Sequence, residues 1–556
     1  MVRKIFNIFN KEIKGLHEAA YLLAFFAFLS QLLALVRDRI FASTFGAGHT
    51  LDIYYSAFRI PDFIFVTVGS LVSLSVLVPF IIDKLKTSED SARDFIRSIF
   101  LFFSVLIIVV SIIAFFLIPY IAPIIFKGLG SYDELIKMSR ILLLSPILLG
   151  LSNMLASITQ VGKRFLVYAL CPLFYNVGII LGALILYPIF GIYGLALGVV
   201  LGAFMHLAIQ IPFIVESKLF KIFPMKIDFK LIKNSIFTSV PRTITLGMTQ
   251  LSIIALLGLA SFMKEGSITV FSFAMNLQNV PLSIIGVSYS IAAFPTLAKC
   301  FSCGNREEFL SHIISGARHI IFWSIPASIL FVVLRAQIVR TIYGAGEFSW
   351  SSTRLTAATL AIFAVSVVAQ SLVLLFIRGY YAMGNTKKSL YTSLITGISS
   401  VVFSLMFIKF YEMSDFFRYF IEHLFRVEDM VGSKILMIGF GFALAQIINC
   451  VLLWSSFEKD FKGFSAPLVN TIFHTFSASI IMGFVSYIGL NIFDNVFNIN
   501  TLVGIFMQGF CAGILGIIVG IFVLKILKSK ELDEAWGTLH KKFWKTKTVV
   551  PDMKEL

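Results

Sequence analysis

The chain runs to 556 residues, of which 58% are hydrophobic, 15% aromatic and only 14% charged, with a formal net charge of +16. So little charge against so much apolar surface excludes a soluble domain; the apolar runs recur from end to end, and the fold class they predict is an all-α polytopic membrane protein. The basic residues sit in alternate short loops, which follows the positive-inside rule and argues against a nucleic-acid partner.

Residues 1–18 set Arg3, Lys4, Lys11 and Lys14 opposite Phe6, Phe9, Ile13 and Leu16, the pattern of a short helix lying on the inner membrane surface. No small-residue cleavage site follows, so the stretch is not read as a removable signal peptide. Hydropathy then predicts about fourteen spans: 19–36, 53–82, 96–118, 135–158, 166–187, 191–215, 236–262, 267–295, 312–334, 354–383, 389–410, 434–456, 468–491 and 500–527. Loops on one side carry seventeen Lys and Arg and those on the other ten, which places both termini in the cytoplasm. Residues 19–220 and 221–460 read as two six-span lobes, 461–528 as a final pair, and 529–556 as a basic amphipathic tail. In that tail Leu532, Trp536, Leu539 and Phe543 share a face. Residues 411–433 form an outer insertion, expected as an interfacial helix with Phe417, Phe420 and Leu424 toward the membrane.

The most informative stretch runs from Arg37-Asp38-Arg39 through Phe45-Gly46-Ala47-Gly48 and Asp52 to Arg59-Ile60-Pro61-Asp62. Charge facing lipid costs several kcal/mol, so groups within or at the mouth of a span are expected to face a protein interior or a wet cavity. Arg59 and Asp62 straddle Pro61, and a cavity role is expected for both; Arg39 is read as an interfacial anchor. An internal repeat follows. Ala42-Ser43-x4-Gly48 returns as Ala260-Ser261-x4-Gly266, and each copy leads into a long span with a central proline (Pro61, Pro281) and a terminal one (Pro79, Pro295). Two copies in the same sense fit parallel-repeat transporters. The second copy carries Arg242, Gln250 and the amides Asn276, Gln278 and Asn279, which either glue helices together or line a cavity.

Arg37, Asp38, Ile40, Ala42, Phe45, Gly46, Ala47, Gly48 and Asp52, then Ala57, Phe58, Arg59, Pro61, Val78 and Pro79, resemble the MurJ/MviN family of lipid-linked murein precursor flippases, within the multidrug/oligosaccharidyl-lipid/polysaccharide exporter superfamily. Tyr343-Gly-Ala-Gly346-Glu-Phe348 and Arg378 through Lys387 extend the resemblance over most of the chain. It implies a flippase that carries undecaprenyl-pyrophosphate-linked peptidoglycan precursor (lipid II) outward across a bacterial cytoplasmic membrane by alternating access, with the final helix pair forming a groove for the lipid tail. Arg37, Arg59 and Arg242 would meet the pyrophosphate, and Asp38, Asp52 and Asp62 would hold those arginines in an empty cavity. The family's additional cavity arginines align with Gln31, Phe65 and Asn276 here, so Gln31 and Asn276 are expected to replace some charge with hydrogen bonds.

No G-x4-G-K-[ST] loop, H-E-x-x-H helix or G-x-S-x-G elbow is present, so a transporter is favoured over an enzyme. No cofactor is expected, and the metal content is left unassigned. Coupling to the membrane potential or to a monovalent cation stays open, as does association with membrane lipids and the cell-wall synthesis machinery. The five cysteines are scattered, and Cys300-Phe-Ser-Cys303, a lone C-x-x-C, is read as incidental. Export of another lipid-linked oligosaccharide, multidrug export, and a non-transporting scaffold for cell-wall assembly stand as alternatives.

Overall fold

The computed structural model describes residues 16–71, 81, 88–162, 164–216, 229–428 and 430–544, with the backbone alone for 16–21, 70–71, 89–92, 216, 229–239, 241–242 and 538–544. Every regular element among them is a helix, the form in which a single segment satisfies its own backbone polar groups inside hydrocarbon. Twelve described helices are long and apolar enough to cross a membrane, from Arg93–Ile125 to Leu502–Ile526, and they coincide with the third to fourteenth expected spans. The first two expected spans fall on Leu16–Phe45 and on His49–Ala57 with Arg59–Leu71. The remainder of the second apart from Ile81, with Val78 and Pro79, lies outside the described residues, as does nearly all of the expected N-terminal surface helix. The helices at Gly182–Leu186 and Leu282–Val287 widen by one residue per turn. Both sites adjoin a proline (Pro188, Pro281), whose missing N–H interrupts the regular ladder.

Two compact units make up the chain: one of residues 1–277, 342–363 and 386–449, the other of 278–341, 364–385 and 450–556. In the first, Phe165–Leu181 packs against Ile192–Ala208 through glycines spaced four apart, Gly178 and Gly182 facing Gly202 and Gly198. A Cβ at Gly178 would lie 2.2 Å from Gly202 Cα, and one at Gly182 would lie 2.5 Å from Gly198 Cα. Small residues at this spacing let backbones touch, which is how helices gain packing where lipid removes the hydrophobic drive. The inserted helix Asp415–Phe425 is capped by Ser414, whose hydroxyl accepts from Phe417 N at 3.3 Å. Its Glu422 is buried and accepts from the hydroxyls of Tyr411 and Ser433. The apolar face follows expectation at Phe420 and Leu424, which are exposed together with Phe416, and differs at Phe417, half-buried against Phe410 with ring centroids 4.6 Å apart. Phe417 shares a face with the buried Ile421, four residues on.

In the second unit Arg306–Val333 packs on Ala466–Asp494, which pairs along its length with Leu502–Ile526. The tail helix Lys530–Trp544 docks on this group, with Leu532 and Ala535 against Phe322, Ala478 and Leu524. Its Glu531 is 3% exposed and accepts from Arg318 Nε at 2.8 Å, Thr471 Oγ1 at 2.7 Å and Ser529 Oγ at 2.8 Å. The expected face of the tail is split accordingly: Leu532 packs inward, Trp536 is exposed, and Leu539 and Phe543 have no described side chain. Burial alone would push the Glu531 carboxyl up, but its hydrogen bonds, from Thr471 foremost and from Arg318 and Ser529, hold it at about 2.

Gly198→Val forces a side chain into backbone, so the purified protein loses stability at or above the about 1–3 kcal/mol typical of overpacking, read as a lower melting temperature. Gly537→Ala, where no atom lies within 4 Å, leaves it unchanged or slightly raised. Glu531→Ala removes the buried carboxylate that Arg318 and Thr471 share, leaves Arg318 only its 3.7 Å contact with Glu534, and loosens the tail, costing about 2–3 kcal/mol because Arg318 is only partly buried; limited proteolysis reads it as faster cleavage within 530–544. Because the Glu531 pKa is lowered from 4.5 to about 2, its contribution is complete above about pH 4.5 and fades as pH falls toward 2.

Candidate functional site

The charged stretch lands where Leu16–Phe45, His49–Ala57, Arg59–Leu71 and Phe165–Leu181 meet within the first unit. A cavity of about 320 Å³ opens there, lined by Arg37, Arg59, Asp62, Asn276, Ser145 and the aromatic residues Phe41, Tyr54, Tyr55, Phe58, Phe65 and Tyr175, among others. Asp38 lies beneath this lining, 2% exposed. Its Oδ1 accepts from Arg37 Nε at 2.9 Å and Nη2 at 2.7 Å, and its Oδ2 accepts from Asn276 Nδ2 at 2.9 Å. Arg37 Nη1 donates to Asn176 Oδ1 at 3.0 Å, and Asn176 in turn donates to the Pro172 carbonyl at 3.0 Å. The guanidinium is therefore oriented from two sides while only three of its five N–H groups are engaged among the described residues.

Arg59 and Asp62 sit one turn further along, flanking Pro61 at the start of Arg59–Leu71. Gln250 Nε2 donates to Asp62 Oδ2 at 3.2 Å, tying this end to the helix Phe229–Ser261. Arg59 Nε is buried and has no hydrogen-bond partner among the described residues. A donor left unpaired away from water costs about 1–3 kcal/mol, so this group favours any acceptor oxygen that enters the cavity.

Of the sequence-derived residues, Arg37, Arg59, Asp62 and Asn276 share one cavity and Asp38 supports it. Phe65 also lines it, whereas Gln31 is not among the lining residues. Arg242 has a described backbone, but its side chain lies outside the described residues. Asp52 differs from the expected role of steadying an arginine. Its Oδ2 accepts from Gly266 N at 2.6 Å, and its Oδ1 from Thr269 N at 2.8 Å and Thr269 Oγ1 at 2.6 Å. The carboxylate thus caps the N-terminus of Ser267–Pro281, where free N–H groups and the helix dipole favour an anion. Gly266 reaches it with φ +89°, and a Cβ there would lie 2.4 Å from the Ala47 carbonyl, so the glycine the repeat preserves is needed for this joint. Arg39 is likewise no simple anchor, since its Nη1 donates to the Ile342 carbonyl at 3.2 Å. The tyrosines and Asn176 were missed by sequence reasoning; Asn176, a lone amide one turn after Pro172 in an apolar run, is the one that polarity alone marks out.

The profile of the lipid II flippase MurJ family matches residues 41–508. Curated relatives include the probable lipid II flippase MurJ of Rickettsia prowazekii, 26% identical over 402 residues, covering 70% of this chain and 78% of that protein. The Thermotoga maritima counterpart is 28% identical over 381 residues, covering 68% and 76%. Among solved structures, lipid II flippase MurJ in an inward closed conformation superposes with a TM-score of 0.71 at 23% identity, over 93% of this chain and all of that one. An inward-facing multidrug resistance MATE family transporter reaches 0.62 at 14% identity, over 79% and 95%. These structural likenesses establish the shared fold, and with the family match spanning most of its length, the chain belongs to the lipid II flippase MurJ family.

Proposed function

We propose that this protein is a lipid II flippase, a transporter that carries lipid-linked peptidoglycan precursor from the inner to the outer leaflet of a bacterial cytoplasmic membrane. The observation that carries this reading is a pair of arginines, Arg37 and Arg59, lining one cavity in a helical membrane protein of this family. A pyrophosphate in hydrocarbon has no water to solvate it. Guanidinium forks meet phosphate oxygens with paired hydrogen bonds, which an ammonium does not match. Arg37 keeps two N–H groups for such an acceptor, and Arg59 Nε has none of its own among the described residues. Asp38 holds Arg37 and Asn276 at fixed spacing, so the binding geometry is set before the ligand arrives. Asn276 and the tyrosines Tyr54, Tyr55 and Tyr175 present hydroxyl and amide groups of the kind a sugar-linked headgroup uses.

Transport by alternating access requires contacts that break and reform, and we assign that part to the Asp52 joint, whose three hydrogen bonds link the two repeat turns. Moving an anion outward is aided by an inside-negative potential at about 2.3 kcal/mol per charge per 100 mV. We place both termini in the cytoplasm, on the distribution of Lys and Arg.

Proteoliposomes holding the full chain are expected to move a fluorescent lipid II analogue to the opposite leaflet, with no efflux of a cationic dye in the same vesicles. Dye efflux without lipid movement would instead assign a drug exporter. Arg37→Ala is expected to abolish rescue of a flippase-depleted bacterium at normal membrane abundance, with Arg37→Lys recovering less than a tenth of the translocation rate. Unimpaired rescue by Arg37→Ala would remove Arg37 from the site.

A further inference from the structure

Outside the cavity, the tight turn joining Ser288–Ser302 to Arg306–Val333 gathers three groups with metal-ligating chemistry from residues far apart in type. The Cys300 sulfur, a Glu308 carboxylate oxygen and a His312 ring nitrogen all lie within 4.8 Å of one another. Gly304, at φ +75°, reverses the chain between the helices, and Asn305 N donates to the Cys300 carbonyl at 3.0 Å. Asn305 then caps the second helix: its Oδ1 accepts from Glu308 N at 3.1 Å. Glu308 and His312, four residues apart on that helix, face the same side, with His312 Nε2 3.7 Å from Glu308 Oε1.

We propose that this turn is a zinc site, with Cys300, Glu308 and His312 as ligands and the exposed Cys303 thiol, one helical turn beyond Cys300 and outside the 4.8 Å cluster, rotating in as the fourth. A thiolate, an imidazole and a carboxylate form a donor set that suits zinc and disfavours magnesium or calcium, which take oxygen ligands. Zinc bond lengths of about 2.0–2.3 Å put neighbouring ligand atoms about 3.3–3.8 Å apart. The His312–Glu308 separation already falls there, and the widest in the cluster needs about 1 Å of side-chain adjustment. Asn305 Nδ2 donates to Glu308 Oε2 at 2.9 Å, leaving Oε1 as the free oxygen and fixing the carboxylate as outer-sphere partners of metal ligands do. The spacing C-x2-C-x4-E-x3-H has the short internal gaps that one turn requires. A metal here clamps the ends of two membrane-crossing helices, and the proposal is independent of what the cavity carries.

The test uses the full chain in detergent, freed of any affinity tag, reduced and stripped by a chelator, then titrated with zinc against a chromophoric competitor and, separately, with cobalt. One zinc per chain and a thiolate-to-cobalt charge-transfer band are expected. Cys300→Ser should abolish the band, and His312→Ala and Cys303→Ser should each weaken zinc binding at least about tenfold. His312 is substantially exposed, so its loss leaves the helices packed, and a monodisperse size-exclusion profile with unchanged helicity confirms this. Absence of stoichiometric zinc, or zinc binding that survives both Cys300→Ser and His312→Ala, would overturn the site.

Discussion

Charge placed inside an apolar bundle has to be compensated by neighbouring polar groups, and the Arg37–Asp38 pair is where this molecule meets that demand. At 2.7 Å the pair is tight, but an isolated pair of buried ions is no guarantee of stability, because desolvation offsets much of the attraction. What completes it is the amide on either side: Asn176 on the guanidinium and Asn276 on the carboxylate. The four groups tie Leu16–Phe45, Phe165–Leu181 and Ser267–Pro281 together. The two further N–H groups of Arg37 are held in place by this network with no partner among the described residues.

The scaffold around the pair is built by close approach. Where Gly178, Gly182, Gly198 and Gly202 meet, no side chain separates the two backbones. The same logic recurs at the turns, where a Cβ on Gly346 would lie 2.1 Å from the Ser43 carbonyl and Glu347 N donates to that carbonyl at 3.0 Å. These turns stack beside the Asp52 joint, so a carboxylate, a helix N-terminus and three glycine turns form one local unit next to the cavity. In the second unit the Glu531–Arg318–Thr471 contact plays the corresponding part, since it anchors a helix that hydropathy alone would leave on the membrane surface.

Much of this was legible in one dimension. Twelve spans were readable as long apolar runs, because a bilayer imposes its length on any helix that crosses it. The family motif was readable because turns that need glycine, and carboxylates that need partners, tolerate few replacements. Residues whose role depends on distant neighbours were less legible. Tyr54, Tyr55 and Tyr175 look like ordinary interfacial aromatics until the helices bring them around a common cavity. Asp52 reads as one more charge near Arg37, yet its partners are Gly266 and Thr269, more than two hundred residues away in sequence. Phe417 and Phe420 looked equivalent by helical spacing, and only packing separates them, with Phe417 against Phe410 and Phe420 exposed.

Composition, hydropathy and the repeat by themselves determined that the chain is a helical membrane protein of about fourteen spans carrying arginines near the first two. Those features depend on residue type and local spacing, which a sequence records directly. Only the tertiary structure decided that Arg37, Arg59 and Asn276 line one cavity while Asp52 serves a joint. It alone brought Cys300 beside Glu308 and His312, where the bare C-x-x-C had looked incidental. The reason is that a buried polar group is assigned its role by whichever partner packing brings within about 3 Å, and that partner is set by the crossing of helices rather than by its place along the chain.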